Sequence, residues 1–316
     1  MSKNFILPFA KLTKKSIKEA GGKGASLGEM TRAKFPVPPG FVVGAGAFEK
    51  YLEKTDINVE IDAALDKVNP KDTESVEEAS EVLRSLIKKM PMEKSLQKEI
   101  LSAFKKLKTK FVAVRSSATA EDSKIDSWAG ELESYLNVQE RNLINAVQNC
   151  WASLFTPRAI FYRLERGLGG KKVLVAVVIQ KMVESEVAGV AFSVHPVTRD
   201  RNQMVIEAGW GLGEAIVAGK ITPDTYVIDK KDMTLLDINV SEQEKMIVQK
   251  KTGEGNLFVN VPKAKKSTQK LAGDKILQLA KIVKNIEKHY NMPQDIEWAY
   301  EKGKFYIVQA RPITTL

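Results

Sequence analysis

Gln294-Asp295-Ile296-Glu297-Trp298-Ala299-Tyr300, then Glu301-Lys302-Gly303-Lys304, then Phe305-Tyr306-Ile307-Val308-Gln309-Ala310-Arg311-Pro312 reads as a β-hairpin, because two runs rich in aromatic and branched residues flank a polar, glycine-containing turn. Residues two apart on a strand share a face, so Asp295 sits beside Glu297 and Gln309 beside Arg311. A three-residue loop, Lys302-Gly303-Lys304, uses glycine for a positive φ and sets Glu297 opposite Gln309 and Asp295 opposite Arg311. A two-residue loop sends those pairs to opposite faces. Two carboxylates, an amide oxygen and a guanidinium make poor core, since unpartnered buried charge is costly. Hard oxygen donors suit Mg²⁺, and an arginine fork suits phosphate. A solvated face carrying a surface ion pair is the other reading these residues allow.

The rest of the chain decides between them. With 316 residues, 43% hydrophobic and 28% charged, it can bury a large core as one big domain or two lobes. No apolar run approaches the roughly 20 residues needed to cross a bilayer. Met1-Ser2-Lys3-Asn4-Phe5 lacks a signal-peptide pattern, and the one cysteine, Cys150, cannot form an internal disulfide. Both point to the cytoplasm. The net charge of +10 comes mostly from scattered lysines and would attract polyanions. Zinc-finger spacing, an aromatic RNA-binding signature and a dense basic tail are missing, so no nucleic acid partner is expected. ATP is itself a polyanion.

Gly21-Gly22-Lys23-Gly24 precedes Ala25-Ser26-Leu27-Gly28-Glu29-Met30, which has helical character. Helix-opening N–H groups and the positive dipole end attract anions, Lys23 adds charge, and glycines allow close approach. The spacing is not that of a Walker A loop, and a plain turn is the alternative. Phe111-Val112-Ala113-Val114-Arg115 is a strand opening onto Ser116-Ser117-Ala118-Thr119-Ala120-Glu121-Asp122-Ser123. A guanidinium and several hydroxyls there suit phosphate oxygens, unless the hydroxyls merely satisfy their own turn. Trp128-Ala129-Gly130-Glu131 then leads into a strand from Ser134 to Val138.

Leu174 to Val183 is nearly all apolar, as in a buried central strand. Its end, Gln180 to Glu184, is placed to offer backbone groups to a purine edge. Met204 to Ala208 is a strand before Gly209-Trp210-Gly211-Leu212-Gly213-Glu214, whose spacing does not match the Rossmann fingerprint. Residues 57–108 read as a helical insert, 141–166 as helices interrupted near Thr156-Pro157, 224–262 as β structure and 268–290 as a long helix. His195 and His289 read as a loop residue and a helix end. The order suggests two α+β lobes, 1–183 and 184–316, with a ligand cleft between them.

Four of these stretches together resemble the ATP-binding domain shared by phosphoenolpyruvate synthase, pyruvate phosphate dikinase and rifampin phosphotransferase. They are Gly21 to Met30, Val112 to Asp122, Ile206 to Glu214 and Gln309 to Pro312, in the family's order and across nearly the whole chain. Ser116-Ser117-Ala118-Thr119-Ala120-Glu121-Asp122 looks more like the synthase and rifampin branch than the dikinase branch. The resemblance implies an ATP-grasp-like fold with ATP between two lobes. Lys23, Arg115 and Arg311 match phosphate-holding positions, with Ser116 and Thr119 in the same phosphate loop. Glu297 and Gln309 match Mg²⁺-binding positions, with Asp295 close by. Glu207 and Glu214 fall near the nucleoside, and Gln180, Met182 and Val183 fit the adenine hinge.

The implied reaction is that of phosphoenolpyruvate synthase, ATP, pyruvate and water giving phosphoenolpyruvate, AMP and phosphate. Phosphoryl passes through a histidine on a separate swivelling domain to an acceptor-binding domain, and neither partner domain is found in these residues. Glu131 departs from the family, which commonly shows glutamine there. A rifampin-phosphotransferase module and a non-catalytic nucleotide-binding regulator are the competing readings.

Overall fold

The computed structural model describes residues 5–119, 133–167, 173–251 and 253–314. The chain forms two compact units, Met1–Glu29 with Pro39–Met182, and Met30–Pro38 with Val183–Leu316. Among the described residues no helix is long and apolar enough to cross a membrane.

The first unit contains β1 (Ile6–Pro8), α1 (Ile17–Arg32, whose end enters the second unit), β2 (Gly40–Val43), α2 (Ala45–Thr55), α3 (Asn58–Asp66), α4 (Thr73–Lys89), α5 (Lys94–Lys106), β3 (Val112–Ala118), β4 (Ser134–Val138), α6 (Leu143–Ala152), α7 (Pro157–Glu165) and β5 (Val175–Lys181). Its sheet has the order β1-β2-β5-β3-β4, with every neighbouring pair antiparallel. Alternation sorts the two faces. Phe41, Val43, Val112, Val114, Val177 and Ile179 join the helical core. The opposite face carries Val42, Val178, Arg115 and Ser117, and there Gly24 of α1 comes so close that a Cβ would lie 3.0 Å from a Val42 methyl. β5 is apolar and fully buried from Val175 to Ile179 because it is central and covered on both faces. Thr156 caps α7 by accepting the Ala159 N–H, and Pro157 follows at the first helical position, where its missing N–H costs nothing.

Two expectations change. The helix expected from Ala25 begins at Ile17 and breaks at Gly21, so Gly22 and Gly24 lie inside it. Ser116 to Ala118, expected in a loop, continue strand β3.

The second unit contains β6 (Val187–Phe192), β7 (Gln203–Trp210), α8 (Glu214–Val217), β8 (Asp224–Asp229), β9 (Leu235–Asn239), β10 (Lys245–Gln249), β11 (Asn256–Asn260), α9 (Gly273–Tyr290), β12 (Gln294–Glu301) and β13 (Lys304–Pro312). Six strands form an antiparallel sheet ordered β13-β12-β6-β7-β8-β9, and β10-β11 pair separately. Ile296, Ala191, Ile206 and Tyr226 form one fully buried row. α9 packs on β12 and β7 and buries Ile276, Leu279, Val283 and Ile286. It ends at Asn291, left-handed at φ 55°, two residues before Pro293.

The hairpin corrects the sequence reading in one respect. Glu301 pairs with Lys304, so the loop is the two residues Lys302-Gly303, both at positive φ (48° and 82°) as in a type I′ turn. The two expected pairs form even so, because the ladder shifts by one residue beyond Trp298–Ile307 and leaves Val308 as the extra residue of a bulge. Phe305, Ile307 and Ala310 are all buried. The bulge is what keeps Gln309 and Arg311 off that apolar face. It is pinned from outside by Ile307, whose N–H donates to the Pro36 carbonyl at 2.9 Å.

Candidate functional site

Two clusters result, one in each unit, and they are described separately. In the first, Lys23 Nζ donates to the Ser116 carbonyl at 2.8 Å, which brings its ammonium to the backbone next to Arg115. Arg115 and Gln180 share the α1-facing side of the sheet, Arg115 pairing with Val178 and Gln180 with Ala113. Gln180 is buried, and Arg115 is partly exposed. Lys23 on α1 and Arg115 and Gln180 on the sheet thus lie on one side of it.

The hydroxyls are differently placed from the expectation. Ser116 Oγ donates to the Glu133 carbonyl at 2.7 Å and Thr119 Oγ1 to the Leu174 carbonyl at 2.9 Å. Each hydroxyl has one hydrogen, and here it goes to a backbone carbonyl. Glu121, Asp122, Ser123, Trp128 and Glu131 lie outside the described residues. In the segment expected to receive adenine, the Met182 N–H is taken by the Phe111 carbonyl at 3.1 Å, and further on the Glu186 N–H by the Tyr300 carbonyl at 2.9 Å. Val183 is buried against Ala188 and Ala299.

In the second cluster, Gln309, Glu297, Val190 and Glu207 form a row across β13, β12, β6 and β7, with Arg311 and Asp295 in the next row on the same face. Arg311 grips one oxygen of Asp295, with Nε at 2.8 Å and a terminal nitrogen at 2.6 Å. The Arg311 side chain is 50% exposed and that of Asp295 14%, so the guanidinium faces solvent over a sheltered carboxylate. Burial pushes the Asp295 carboxyl above its ordinary range; Arg311 pulls it back, and Glu297 adds to the rise. Burial, then the Asp295 charge, raises Glu207 too. Three carboxylates on one face repel one another, which a cation would relieve. Among the described residues no three His, Cys, Asp or Glu side chains are grouped so as to hold a metal by themselves.

The glycine-rich segment has a packing task. Gly211 stands at φ +87°, and a Cβ there would lie 2.4 Å from the Ile247 carbonyl oxygen. The buried Gln243 clamps Trp210 on both its N–H (2.8 Å) and its carbonyl (3.0 Å). Glu214 is exposed and accepts from Asn256 Nδ2 at 2.6 Å. His195 Nδ1 accepts the N–H groups of Val197 and Thr198 at 3.3 and 3.2 Å, closing its own turn. His289 packs edge-on to Phe35.

Sequence reasoning missed Ser117 and a buried pair, Lys270 Nζ to Asp224 at 2.7 Å, with both side chains 0% exposed. Ser117 lies within the Ser116 to Asp122 stretch, which does not reveal its buried contact, and neither Lys270 nor Asp224 carries a motif. Their partners lie 97 and 46 residues away in the chain.

Over residues 17–316 the chain matches the family described as pyruvate phosphate dikinase, AMP/ATP-binding domain. It is 47% identical to a probable phosphoenolpyruvate synthase of Methanocaldococcus jannaschii, over 100% of this chain and 27% of that protein. Identity is 45% to a probable phosphoenolpyruvate synthase of Archaeoglobus fulgidus, over 98% of this chain and 42% of that protein. It is 40% to a phosphoenolpyruvate synthase of Pyrococcus furiosus, over 100% of this chain and 44% of that protein. The chain therefore spans less than half the length of these relatives.

Proposed function

The chain belongs to the pyruvate phosphate dikinase AMP/ATP-binding domain family, and from that premise we propose that it is the ATP-binding module of a phosphoenolpyruvate synthase-like phosphotransferase. The fold we propose is ATP-grasp-like, with one Mg·ATP drawing on residues of both units. Lys23, Arg115 and Arg311 neutralise its phosphates, with Ser116 and Thr119 nearby. Gln180, Met182 and Val183 receive the adenine, and Glu207 and Glu214 lie on the nucleoside side.

Mg²⁺ commonly takes one or two carboxylates together with substrate phosphate oxygens and water. Glu297, Gln309 and Asp295 fit that donor set, which explains why no all-protein metal cage is needed. Bound there, the ion would neutralise charge developing on the transferred phosphoryl. Phosphoryl transfer asks the protein mainly for positioning and charge neutralisation. Arg311 would hold the phosphate while leaving Asp295 turned inward, and the cations would set the phosphate chain in line.

The acceptor of the phosphoryl is proposed to be a histidine on a swivelling domain, with a further domain for pyruvate. The relatives carry additional polypeptide in which such domains can lie. The relatives' names favour this reading over a rifampin kinase, and the intact set of charged residues argues against a decayed regulator. We place the protein in the cytoplasm on its lone buried cysteine.

One observation carries the reading: Asp295–Arg311 and Glu297–Gln309 stand as adjacent cross-strand pairs on one face. Calorimetric titration with Mg·ATP tests it. Arg311→Ala is expected to weaken binding at least about tenfold, the scale of one lost charge-assisted contact. Undiminished binding by that variant would remove the site.

A further inference from the structure

Ser117 is fully buried, and its hydroxyl does two things at once. It donates to the Ala20 carbonyl at 2.9 Å and accepts the Gly24 N–H at 3.2 Å. In an unbroken helix Gly24 N–H would bond directly to Ala20 C=O, the residue four before it. The serine hydroxyl therefore sits inside that one rung, and a side chain inserted into the ladder is a recognised cause of a helix break. The break is at Gly21, with φ 67° and ψ 169°, a conformation almost confined to glycine. A Cβ at Gly21 would lie 2.2 Å from Ser117 Oγ and 2.4 Å from the Ser117 carbonyl oxygen. One residue before Ser117, the Ser116 carbonyl receives Lys23 Nζ at 2.8 Å.

We infer that Ser117 is a positioning residue for Lys23, holding α1 open at Gly21 so that the lysine is presented beside Arg115. This rests on the reading that Lys23 binds ATP phosphates. Filling the rung needs a group that both donates and accepts, which a hydroxyl does and an alanine methyl does not. Without it, Ala20 C=O and Gly24 N–H rejoin, the helix straightens through the glycines, and Lys23 leaves the Ser116 carbonyl. A lysine on a flexible four-carbon stem then has to be ordered at the moment of binding.

The test is a double-mutant cycle on Mg·ATP affinity, read by titration calorimetry, with displacement of a tighter nucleotide for weak variants. Ser117→Ala is expected to weaken binding about tenfold in the native background and by less than about twofold when Lys23→Ala is already present. Equal losses in the two backgrounds mean a merely structural serine and overturn the inference, as does no loss at all. Lys23→Ala without effect is a separate result: it would sink the reading of Lys23 itself and the inference with it. Thermal unfolding is followed in parallel. Should Ser117→Ala not fold, Ser117→Cys, similar in size but a weak donor and acceptor, takes its place with the same expected outcomes.

Discussion

Asp295 and Glu207 hold their protons to higher pH in the folded protein than in the unfolded chain, chiefly because they are buried. In that window the folded state binds more protons, so their contribution to stability falls as pH rises through the folded-state pKa. Below the ordinary carboxylate pKa, about 4, it is fully present. Glu207→Gln removes one buried charge and is expected to raise the unfolding midpoint at pH 7–8 by about 1–3 °C, with the gain fading toward pH 4. Scanning fluorimetry across that range decides it, and a midpoint lowered at neutral pH would contradict the argument. The same carboxyls must release protons to receive a cation. Mg·ATP titrations in buffers of different ionisation heat should therefore show proton release that grows as the pH is lowered from neutral. That Asp295, Glu297, Gln309 and Arg311 share one face was legible from sequence, because strand alternation sets it. The roles of Ser116 and Thr119 were not. A hydroxyl points wherever an acceptor lies, and here the acceptors, Glu133 and Leu174, are 17 and 55 residues away in the chain.

Among the elements, the last hairpin holds four of the residues proposed for phosphate and Mg²⁺, Asp295, Glu297, Gln309 and Arg311, and its strands and pairing were readable while its turn was not. Alternation told where apolar and polar residues fall, but a one-residue bulge and a one-residue change in loop length produce the same pairing further along. Sequence alone therefore gave the right partners by the wrong turn. The turn now makes its own prediction. Gly303 stands at φ 82° with no neighbouring atom within 4 Å of a built Cβ, so Gly303→Ala costs only backbone strain, about 1–2 kcal/mol. Lys302→Asn, which tolerates φ 48° better, is expected to stabilise by about 0.5 kcal/mol. Urea unfolding checks both, and neither change should alter Mg·ATP affinity. A second element-level tie is Lys270, whose ammonium and backbone N–H both bond Asp224 and thereby join the approach to α9 to strand β8. Lys270→Met leaves a buried carboxylate without its cation and is expected to cost about 3–5 kcal/mol in the same assay. A loss under 1 kcal/mol would show that the donors left on Asp224, the Tyr226 hydroxyl and the N–H groups of Ser241 and residue 270, suffice.

At the scale of the whole chain, two units each have a sheet of their own, and the residues proposed for one nucleotide are divided between them. Lys23 and Arg115 belong to the first, and Asp295, Glu297, Gln309 and Arg311 to the second. A ligand stabilises whatever it contacts by an amount set by its concentration over its dissociation constant, about 2.7 kcal/mol at one hundredfold excess. If one Mg·ATP is shared, that stabilisation must reach both units. Hydrogen exchange read by mass spectrometry is then expected to slow in peptides covering β3 and the break in α1, and equally in peptides covering β12 and β13. Lys23→Ala and Arg311→Ala lie in different units, so each should weaken the slowing in both together, from about 2.7 to about 1.4 kcal/mol for a tenfold loss of affinity at that hundredfold excess. Slowing confined to the unit that keeps its intact arginine or lysine would mean that each unit binds nucleotide by itself. Partial salt sensitivity is also expected, because a net charge of +10 concentrates the nucleotide near the surface and is screened beyond about 8 Å at physiological ionic strength. That long-range attraction is common to any polyanion. Only the loss of protection in both units on removing one charge separates a shared triphosphate site from general basic attraction.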